Sequence, residues 1–314
     1  MSITTLKHIV SAQQFSREDL DALFREAEKM KAPVEKGTLS RLLEEKIMAT
    51  LFFEPSTRTR LSFESAMLSL GGSVIGTENA REFSSAVKGE TLEDTIRVIG
   101  GYADVIVLRH HEAGATDRAA RVSSVPIINA GDGAGQHPTQ ALLDLFTIED
   151  ELGSIDGKTI AMVGDLLYGR TVRSLSYLLA KNYSLEKLFL IAPEAVRMKN
   201  DIKKYLRKRR VNFEETSDIK GALPLCDVVY QTRIQKERFG DRIEEYEKAR
   251  GVYVINRETL SKMPKKSIIL HPLPRVDELD PDVDSDPRAA YFRQARNGRF
   301  VRMAILKMLL QNKK

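Results

Sequence analysis

The 314-residue chain is long enough for two domains of ordinary size, each with its own core. Hydrophobic residues make up 42% and charged residues 30%, which is typical of a soluble globular protein and excludes a disordered chain. No apolar run is long enough to span a bilayer, and the N-terminus lacks the apolar region of a signal peptide. We therefore expect a cytoplasmic protein with no membrane partner.

The net charge of +5 raises the question of nucleic-acid binding. The densest basic run, 203–210, follows helical periodicity and contains one aromatic residue, which indicates a solvated helix face. We expect no nucleic-acid partner, because small anionic substrates explain arginines in loops more simply. The single cysteine, Cys226, lies beside apolar residues, so we expect an inert buried thiol and no disulfide framework.

The first predicted strand is the apolar run 47–53, and an apolar helical spacing follows from Phe63 to Leu70. Between them lies a stretch of hydroxyl and guanidinium side chains, 56–60. A helix N-terminus presents unpaired N–H groups and a partial positive charge, which suits an anion. The alternative is an ordinary helix cap with solvated arginines. Two arginines alternating with hydroxyls directly after a buried strand favour a phosphate site.

Strands and helices alternate along the rest of the chain. The apolar patterns predict strands at 73–75, 105–108, 126–128, 158–163, 187–191, 227–230 and 267–270. They predict helices at 92–99, 115–122, 139–152, 171–181, 196–207 and 287–310, the last with a break at Asn297 and Gly298. This succession predicts the α/β class, with two domains that are each a parallel sheet covered by helices on both faces. The helix at 139–152 is the expected linker.

Polar side chains gather where the predicted strands end, which is where parallel α/β sheets bind ligands. Beyond the stretch 56–60, these side chains are Arg109, His110, His111, His137, Gln140, Asp165, Arg170, Thr232, Arg233, Gln235, His271 and Arg275. Taken singly, His137 could be a helix-capping histidine and Arg170 a solvated arginine. An arginine at a helix start is disfavoured by the helix dipole unless an anion compensates for its charge.

Other kinds of site are disfavoured by the pattern. The glycines near Asp165 do not have the G-x-G-x-x-G spacing of a dinucleotide site, and no G-x-x-x-x-G-K-[ST] sequence is present. His110 and His111 have no carboxylate or cysteine at a spacing that would complete a metal site. We therefore expect a site without a metal or a cofactor.

Several motifs, in the same order along the chain, resemble those of the aspartate and ornithine carbamoyltransferase family. They are Ser-Thr-Arg-Thr-Arg at 56–60, the lysine loop with Ser84 and Lys88, Asn-Ala-Gly-Asp-Gly at 129–133, Gln-His-Pro-Thr-Gln at 136–140, Val-Gly-Asp at 163–165 with Gly169 and Arg170, and His-Pro-Leu-Pro-Arg at 271–275. Members that act on ornithine carry cysteine where this chain has Pro272. Pro272 and Arg233 therefore resemble the aspartate side of the family.

The resemblance implies a carbamoyl-phosphate domain over 1–137, completed by a C-terminal helix at about 288–314 that crosses back to it. It implies an aspartate domain over 138–287. The implied reaction transfers the carbamoyl group of carbamoyl phosphate to the amino group of L-aspartate, an early step of pyrimidine biosynthesis. Two alternatives remain open: a carbamoyltransferase for ornithine or another amine, and a non-catalytic sensor of a phosphate ligand.

The resemblance also assigns roles to residues. Catalytic roles fall to Arg58, Thr59, Lys88, Arg109 and His137, and substrate binding to Ser56, Thr57, Ser84, Gln140, Arg170, Arg233, Gln235, Pro272 and Leu273. Within this set, Arg170 would bind the α-carboxylate of aspartate, and Arg233 with Gln235 the β-carboxylate. Ser84 and Lys88 would act in the neighbouring subunit of a homotrimer. A regulatory chain is left open as a further partner.

Overall fold

The computed structural model describes residues 6–38, 41–80, 88–235, 239–240 and 243–311. The strands are β1 (Ile47–Phe52), β2 (Ser73–Glu78), β3 (Val105–His110), β4 (Ile127–Asp132), β5 (Thr159–Val163), β6 (Lys187–Ile191), β7 (Phe213–Thr216), β8 (Val228–Gln231) and β9 (Ile268–Leu270). The helices are α1 (Arg17–Glu35), α2 (Thr57–Ser69), α3 (Leu92–Ile99), α4 (Ala115–Val122), α5 (Pro138–Leu152), α6 (Arg170–Asn182), α7 (Asn200–Lys208), α8 (Ile219–Ala222), α9 (Ile243–Ala249), α10 (Arg257–Lys262) and α11 (Tyr291–Leu310).

The strands form two sheets, one with the order β2-β1-β3-β4 and one with the order β7-β6-β5-β8-β9. All neighbouring strands within these sheets run parallel. The inner strands are short apolar runs that are buried along almost their whole length, as expected when both faces of a parallel sheet are covered. The predicted α/β class with two parallel sheets is confirmed.

The chain divides into two compact units. The first contains residues 1–143 and 296–314, and the second contains residues 144–295. The boundaries therefore fall inside α5 and inside α11. The core of the first unit includes Leu51, Ile96 and Ile106, and the core of the second includes Val163 and Val229.

Several helices begin with a side-chain cap, which accepts one of the N–H groups that a helix start leaves without an acceptor. Ser16 caps α1, Thr91 caps α3 and Asn256 caps α10. The start of α2 is different, because the hydroxyl of its N-cap residue Ser56 makes no capping hydrogen bond. The first turn of α2 is therefore available to an external acceptor.

Several predicted boundaries were wrong: β4 ends at Asp132 instead of 128, α11 begins at Tyr291 instead of 287, and three further differences follow. The break at Asn297 and Gly298 does not occur, and α11 continues from Tyr291 to Leu310. A Cβ atom on Gly298 would come within 2.4 Å of a guanidinium nitrogen of Arg302, so the glycine makes room for a neighbouring side chain instead of ending the helix. β2 continues to Glu78, into the stretch predicted as a loop.

The third difference is the start of α7, at Asn200 instead of 196. Its cause is a tertiary hydrogen bond, because Leu166 donates its N–H to the carbonyl of Val196 and Val196 closes a separate 3-10 turn. β7 was not predicted at all. Its burial pattern is only intermediate, which weakens the sequence signal of a strand.

Within the described residues, no helix is long and apolar enough to cross a membrane.

Candidate active site

The stretch 56–59 lies at the carboxyl end of β1 and forms the start of α2. Thr59 is buried, and Arg58 is exposed. Among the described residues, the Arg58 guanidinium has no hydrogen-bond or ion-pair partner. Uncapped N–H groups, three hydroxyls and an available guanidinium at one helix start can bind a phosphate group.

The second arginine of the motif, Arg60, has a different environment. Its guanidinium binds Glu64 at 3.0 Å and Glu78 at 2.8 Å, and Thr50 donates a hydrogen bond to the same carboxylate of Glu64. Arg60 therefore joins α2 to the end of β2. The two arginines that the sequence presents as a pair are divided between an available cation and an ion-paired one.

Arg109 lies in β3, directly beside Phe52 of β1, and its side chain is almost fully buried. Its guanidinium donates one hydrogen bond to the carbonyl of Ala130 at 3.1 Å and another to the carboxylate of Glu54. These contacts fix the orientation of the cation. A ligand oxygen that uses the same N–H group must replace Glu54.

His137 is buried and immediately precedes α5. Its Nδ1 atom lies 3.4 Å from the hydroxyl of Thr139, and its carbonyl accepts the N–H of Gln140. The preceding turn is held by Asp132, whose carboxylate accepts the N–H of Gln136 at 2.7 Å and the N–H of Gly114 at 3.0 Å. Sequence reasoning missed this role of Asp132, although it lies in the quoted glycine-rich motif.

His110 stacks on His111 and contacts Phe53, at centroid distances of 4.3 Å and 4.9 Å. Burial, together with the neighbouring charge of His111, lowers the pKa of His110 to about 4. His110 is therefore neutral at physiological pH, and its Nδ1 atom accepts the N–H of Glu112. In the part of the chain that the structure describes, no three His, Cys, Asp or Glu side chains are grouped as they would be around a metal ion.

Lys88 is exposed in a short turn that precedes α3. Ser84, the other residue predicted from the lysine loop, lies outside the described residues. The predicted site residues that the structure places at the sheet of the first unit are therefore the stretch 56–59, Arg109, His137 and Gln140. These residues follow or lie within β1, β3 and β4, which are adjacent in the sheet, so they share its carboxyl edge.

In the second unit, Arg170 is the first residue of α6, where the helix dipole disfavours a cation unless an anion is bound. Gln235 follows β8, and its amide donates a weak hydrogen bond of 3.5 Å to the carboxylate of Asp165. Thr232 ties this loop to β5, because its hydroxyl donates to the carbonyl of Val163 and accepts the N–H of Asp165. Burial raises the pKa of Asp165. The sequence motif contains Asp165 but predicts no role for it. In the structure, the carboxylate of Asp165 orients the side chain of Gln235.

The segment after β9 contains Pro272 and Leu273, both partly exposed. Leu273 has φ of +53°, in the left-handed region that non-glycine residues rarely adopt. Its N–H donates to Nδ1 of His271 at 2.8 Å, and Nε2 of His271 lies 2.8 Å from the carboxylate of Glu278. No periodicity in the sequence could have indicated the pair of His271 and Glu278.

The predicted residues of the second unit are thus Arg170 after β5, Arg233 and Gln235 after β8, and Pro272 and Leu273 after β9. Because β5, β8 and β9 are adjacent and parallel, these residues share the carboxyl edge of the second sheet. Each unit therefore has the features of an α/β enzyme domain that binds a small anion.

Comparison with known proteins agrees with this class. The family model described as aspartate/ornithine carbamoyltransferase, carbamoyl-P binding domain, matches residues 7–150, and the Asp/Orn binding domain of the same family matches residues 156–309. The chain therefore belongs to the aspartate/ornithine carbamoyltransferase family.

Individual relatives are similar over nearly the whole chain. An aspartate carbamoyltransferase of rice, named chloroplastic, is 59% identical over 97% of this chain and 85% of its own length. The aspartate carbamoyltransferase catalytic subunit of Thermoplasma volcanium is 53% identical over 97% of this chain and 98% of its own. A crystal structure of Trypanosoma cruzi aspartate transcarbamoylase with carbamoyl phosphate and aspartate has a TM-score of 0.94 and 46% identity, and the match covers 99% of both chains.

Proposed function

We propose that this chain transfers the carbamoyl group of carbamoyl phosphate to the amino group of L-aspartate, giving N-carbamoyl-L-aspartate and phosphate. The observation that carries the proposal is the start of α2, where Ser56 leaves the helix uncapped and Arg58 has no partner among the described residues. Such a helix start can bind a phosphate group. The crystal structure of the relative with carbamoyl phosphate and aspartate supports both substrates.

Aspartate is favoured over ornithine as the acceptor. An amino acid with two carboxylates needs two cations, and Arg170 with Arg233 supply them at the ends of β5 and β8. The side-chain ammonium of ornithine would be repelled by Arg233. Gln235, held by Asp165, adds an amide donor for the β-carboxylate. The relatives from rice and Thermoplasma volcanium are named for aspartate.

In the proposed mechanism, the amino nitrogen attacks the carbonyl carbon, the carbon–oxygen bond to phosphate breaks, and the departing phosphate accepts the amine proton. Thr59, Arg109 and His137 donate to the carbonyl oxygen, where negative charge develops. Arg109 becomes available for this role when the carbonyl oxygen replaces Glu54. The carbonyl groups of Pro272 and Leu273 accept hydrogen bonds from the attacking amine. Orientation and electrostatic stabilisation then supply most of the rate.

We propose a homotrimer in which Ser84 and Lys88 complete the site of a neighbouring subunit. The support is the exposure of several large apolar side chains on the first unit, which contact with another subunit would remove from water. These side chains, on α2, on the edge strand β2 and on and after α3, are Leu61, Leu68, Ile75, Val98 and Tyr102. The exposure of Lys88 agrees with a role outside its own unit.

Three further parts of the proposal concern the context of the enzyme. The designation "catalytic subunit" for archaeal relatives supports a regulatory chain as a second partner. The reaction places the protein in pyrimidine biosynthesis. We propose a cytoplasmic location, which the buried free thiol of Cys226 fits and which cell fractionation would test, since plant relatives are named chloroplastic.

The deciding experiment measures phosphate and carbamoylated product from carbamoyl phosphate with aspartate, ornithine or a simple amine. We expect both products in equal amounts with aspartate. Turnover with ornithine instead would assign another acceptor. Binding of carbamoyl phosphate in calorimetry without any turnover would assign a sensor.

A further inference from the structure

The histidine that precedes the Pro272–Leu273 segment belongs to a buried polar group that none of the steps above uses. His271 is 2% exposed and Glu278 is 6% exposed. The N–H of Leu273 donates to Nδ1 of His271, so Nδ1 carries no proton. The proton of the neutral ring therefore lies on Nε2 and is donated to Glu278. Both ring nitrogens are occupied, each by one fixed partner.

Glu278 stabilises this tautomer. Its second carboxylate oxygen accepts the N–H groups of Val276 and Asp277, both at 3.2 Å. Burial alone would raise the pKa of Glu278, but the hydrogen bond from His271 and the backbone N–H groups together outweigh burial and lower it. The carboxylate therefore stays ionised and keeps accepting the Nε2 proton.

The backbone of His271 is held as firmly as its ring. Its N–H donates to the amide oxygen of Gln294 at 2.8 Å, and the amide nitrogen of Gln294 donates to Asp144 at 2.6 Å. The other carboxylate oxygen of Asp144 accepts the hydroxyl of Tyr230 at 2.8 Å. Tyr230 lies in β8, the neighbour of β9. These hydrogen bonds fix the backbone at His271, so the imidazole that accepts the N–H of Leu273 has a fixed position.

We propose that His271 is a positioning residue for the carbamoyl transfer, because its Nδ1 atom holds the backbone of Leu273 so that the carbonyl groups of Pro272 and Leu273 are aligned with the amine. The left-handed backbone at Leu273 needs such support, since a leucine leaves this conformation readily when nothing holds it. This inference rests on the proposed function, in which those carbonyl groups bind the acceptor. His271 itself touches no substrate.

Two amide substitutions separate the two ring contacts. Asparagine places an amide oxygen near the position of Nδ1, so His271→Asn keeps an acceptor for the N–H of Leu273 and loses the contact with Glu278. Glutamine reaches the position of Nε2, so His271→Gln keeps a donor to Glu278 and loses the contact with Leu273. His8→Gln is the matched control, because His8 Nδ1 likewise accepts a backbone N–H, from Ile127 at 3.1 Å in the first unit.

The measurements are kcat and KM with aspartate, calorimetry of carbamoyl phosphate binding, and Tm. We expect His271→Gln to lower kcat by about tenfold or more, because small misplacements of reacting groups are costly. We expect His271→Asn to stay within about threefold of the parent protein, and both to bind carbamoyl phosphate normally. His8→Gln should change Tm without changing kcat.

Equal kcat values in the two folded His271 variants would overturn the inference. A merely structural histidine would change Tm, but it would not make kcat differ between His271→Gln and His271→Asn. If His271→Gln does not fold, His271→Leu takes its place, because leucine fills a similar space without a hydrogen-bond acceptor. A kcat of His271→Leu equal to that of His271→Asn would then overturn the inference. Failure of the proposed function is a separate result, because the parent protein would then form no carbamoyl-aspartate.

Discussion

Replacing Arg58 tests the assignment of the phosphate site most directly. Arg58 is exposed at the start of α2, and it has no partner among the described residues. The change Arg58→Ala should therefore remove no hydrogen bond from the folded protein. Because a cation near a helix N-terminus is disfavoured by about 0.3–1 kcal/mol, we expect the free energy of unfolding to stay the same or rise slightly.

The effect on the reaction should be far larger. A guanidinium that grips the leaving phosphate makes charge-assisted hydrogen bonds, and losing one such transition-state donor costs about 3–4 kcal/mol. This corresponds to a roughly hundred- to thousandfold loss of kcat/KM. Phosphate release under saturating aspartate measures the loss, and urea unfolding measures stability on the same samples.

Arg60→Ala is the matched control on the same helix. Its ion pairs with Glu64 and Glu78 lie in the folded protein, so the substitution should lower the free energy of unfolding by about 1 kcal/mol. Its effect on kcat/KM should be much smaller than that of Arg58→Ala. If Arg58→Ala stays within about threefold of the parent activity, the phosphate assignment is wrong, because a transition-state contact is worth far more. If it unfolds the protein, Arg58 is structural.

Three other predictions concern the acceptor, the assembly and the pH dependence of stability. Arg233→Ala should lower kcat/KM for aspartate by roughly two orders of magnitude, whereas calorimetry should find carbamoyl phosphate binding unchanged; a large loss of that binding would contradict the assignment. Inactive Lys88→Ala and Arg58→Ala chains should regain activity when they are dissociated and reassembled together, and mixed trimers that stay inactive would exclude shared sites. His110 has a folded pKa of about 4 against an ordinary 6.5, so the unfolded chain binds more protons between these values and the free energy of unfolding should fall as the pH drops from 6.5 to 4. Denaturant unfolding of His110→Gln should give a shallower fall, and an equal slope would mean that another group causes it.

The sequence alone determined the class of the fold and most of the elements. Buried strands such as β3 and β6 are short apolar runs, and α4 has helical spacing between turn residues, so each is encoded by neighbours within a few positions. The motifs also indicated which strand ends carry the candidate site, because ligands of parallel sheets bind at those ends. The roles assigned to these residues remain predictions that the experiments above address.

Tertiary structure decided the details that depend on partners distant in sequence. It gave Arg58 and Arg60 different roles, because Glu78 forms an ion pair only with Arg60. It placed Glu54 on Arg109, across two neighbouring strands. These contacts join residues that are 18 and 55 positions apart, so no local period records them. Gly298 reads as a helix breaker in the sequence, yet α11 continues through it, and a Cβ atom there would come within 3.0 Å of Leu143, a residue of α5 that is distant in the sequence. Propensity is a local preference, and the neighbours that override it are brought together only by the fold.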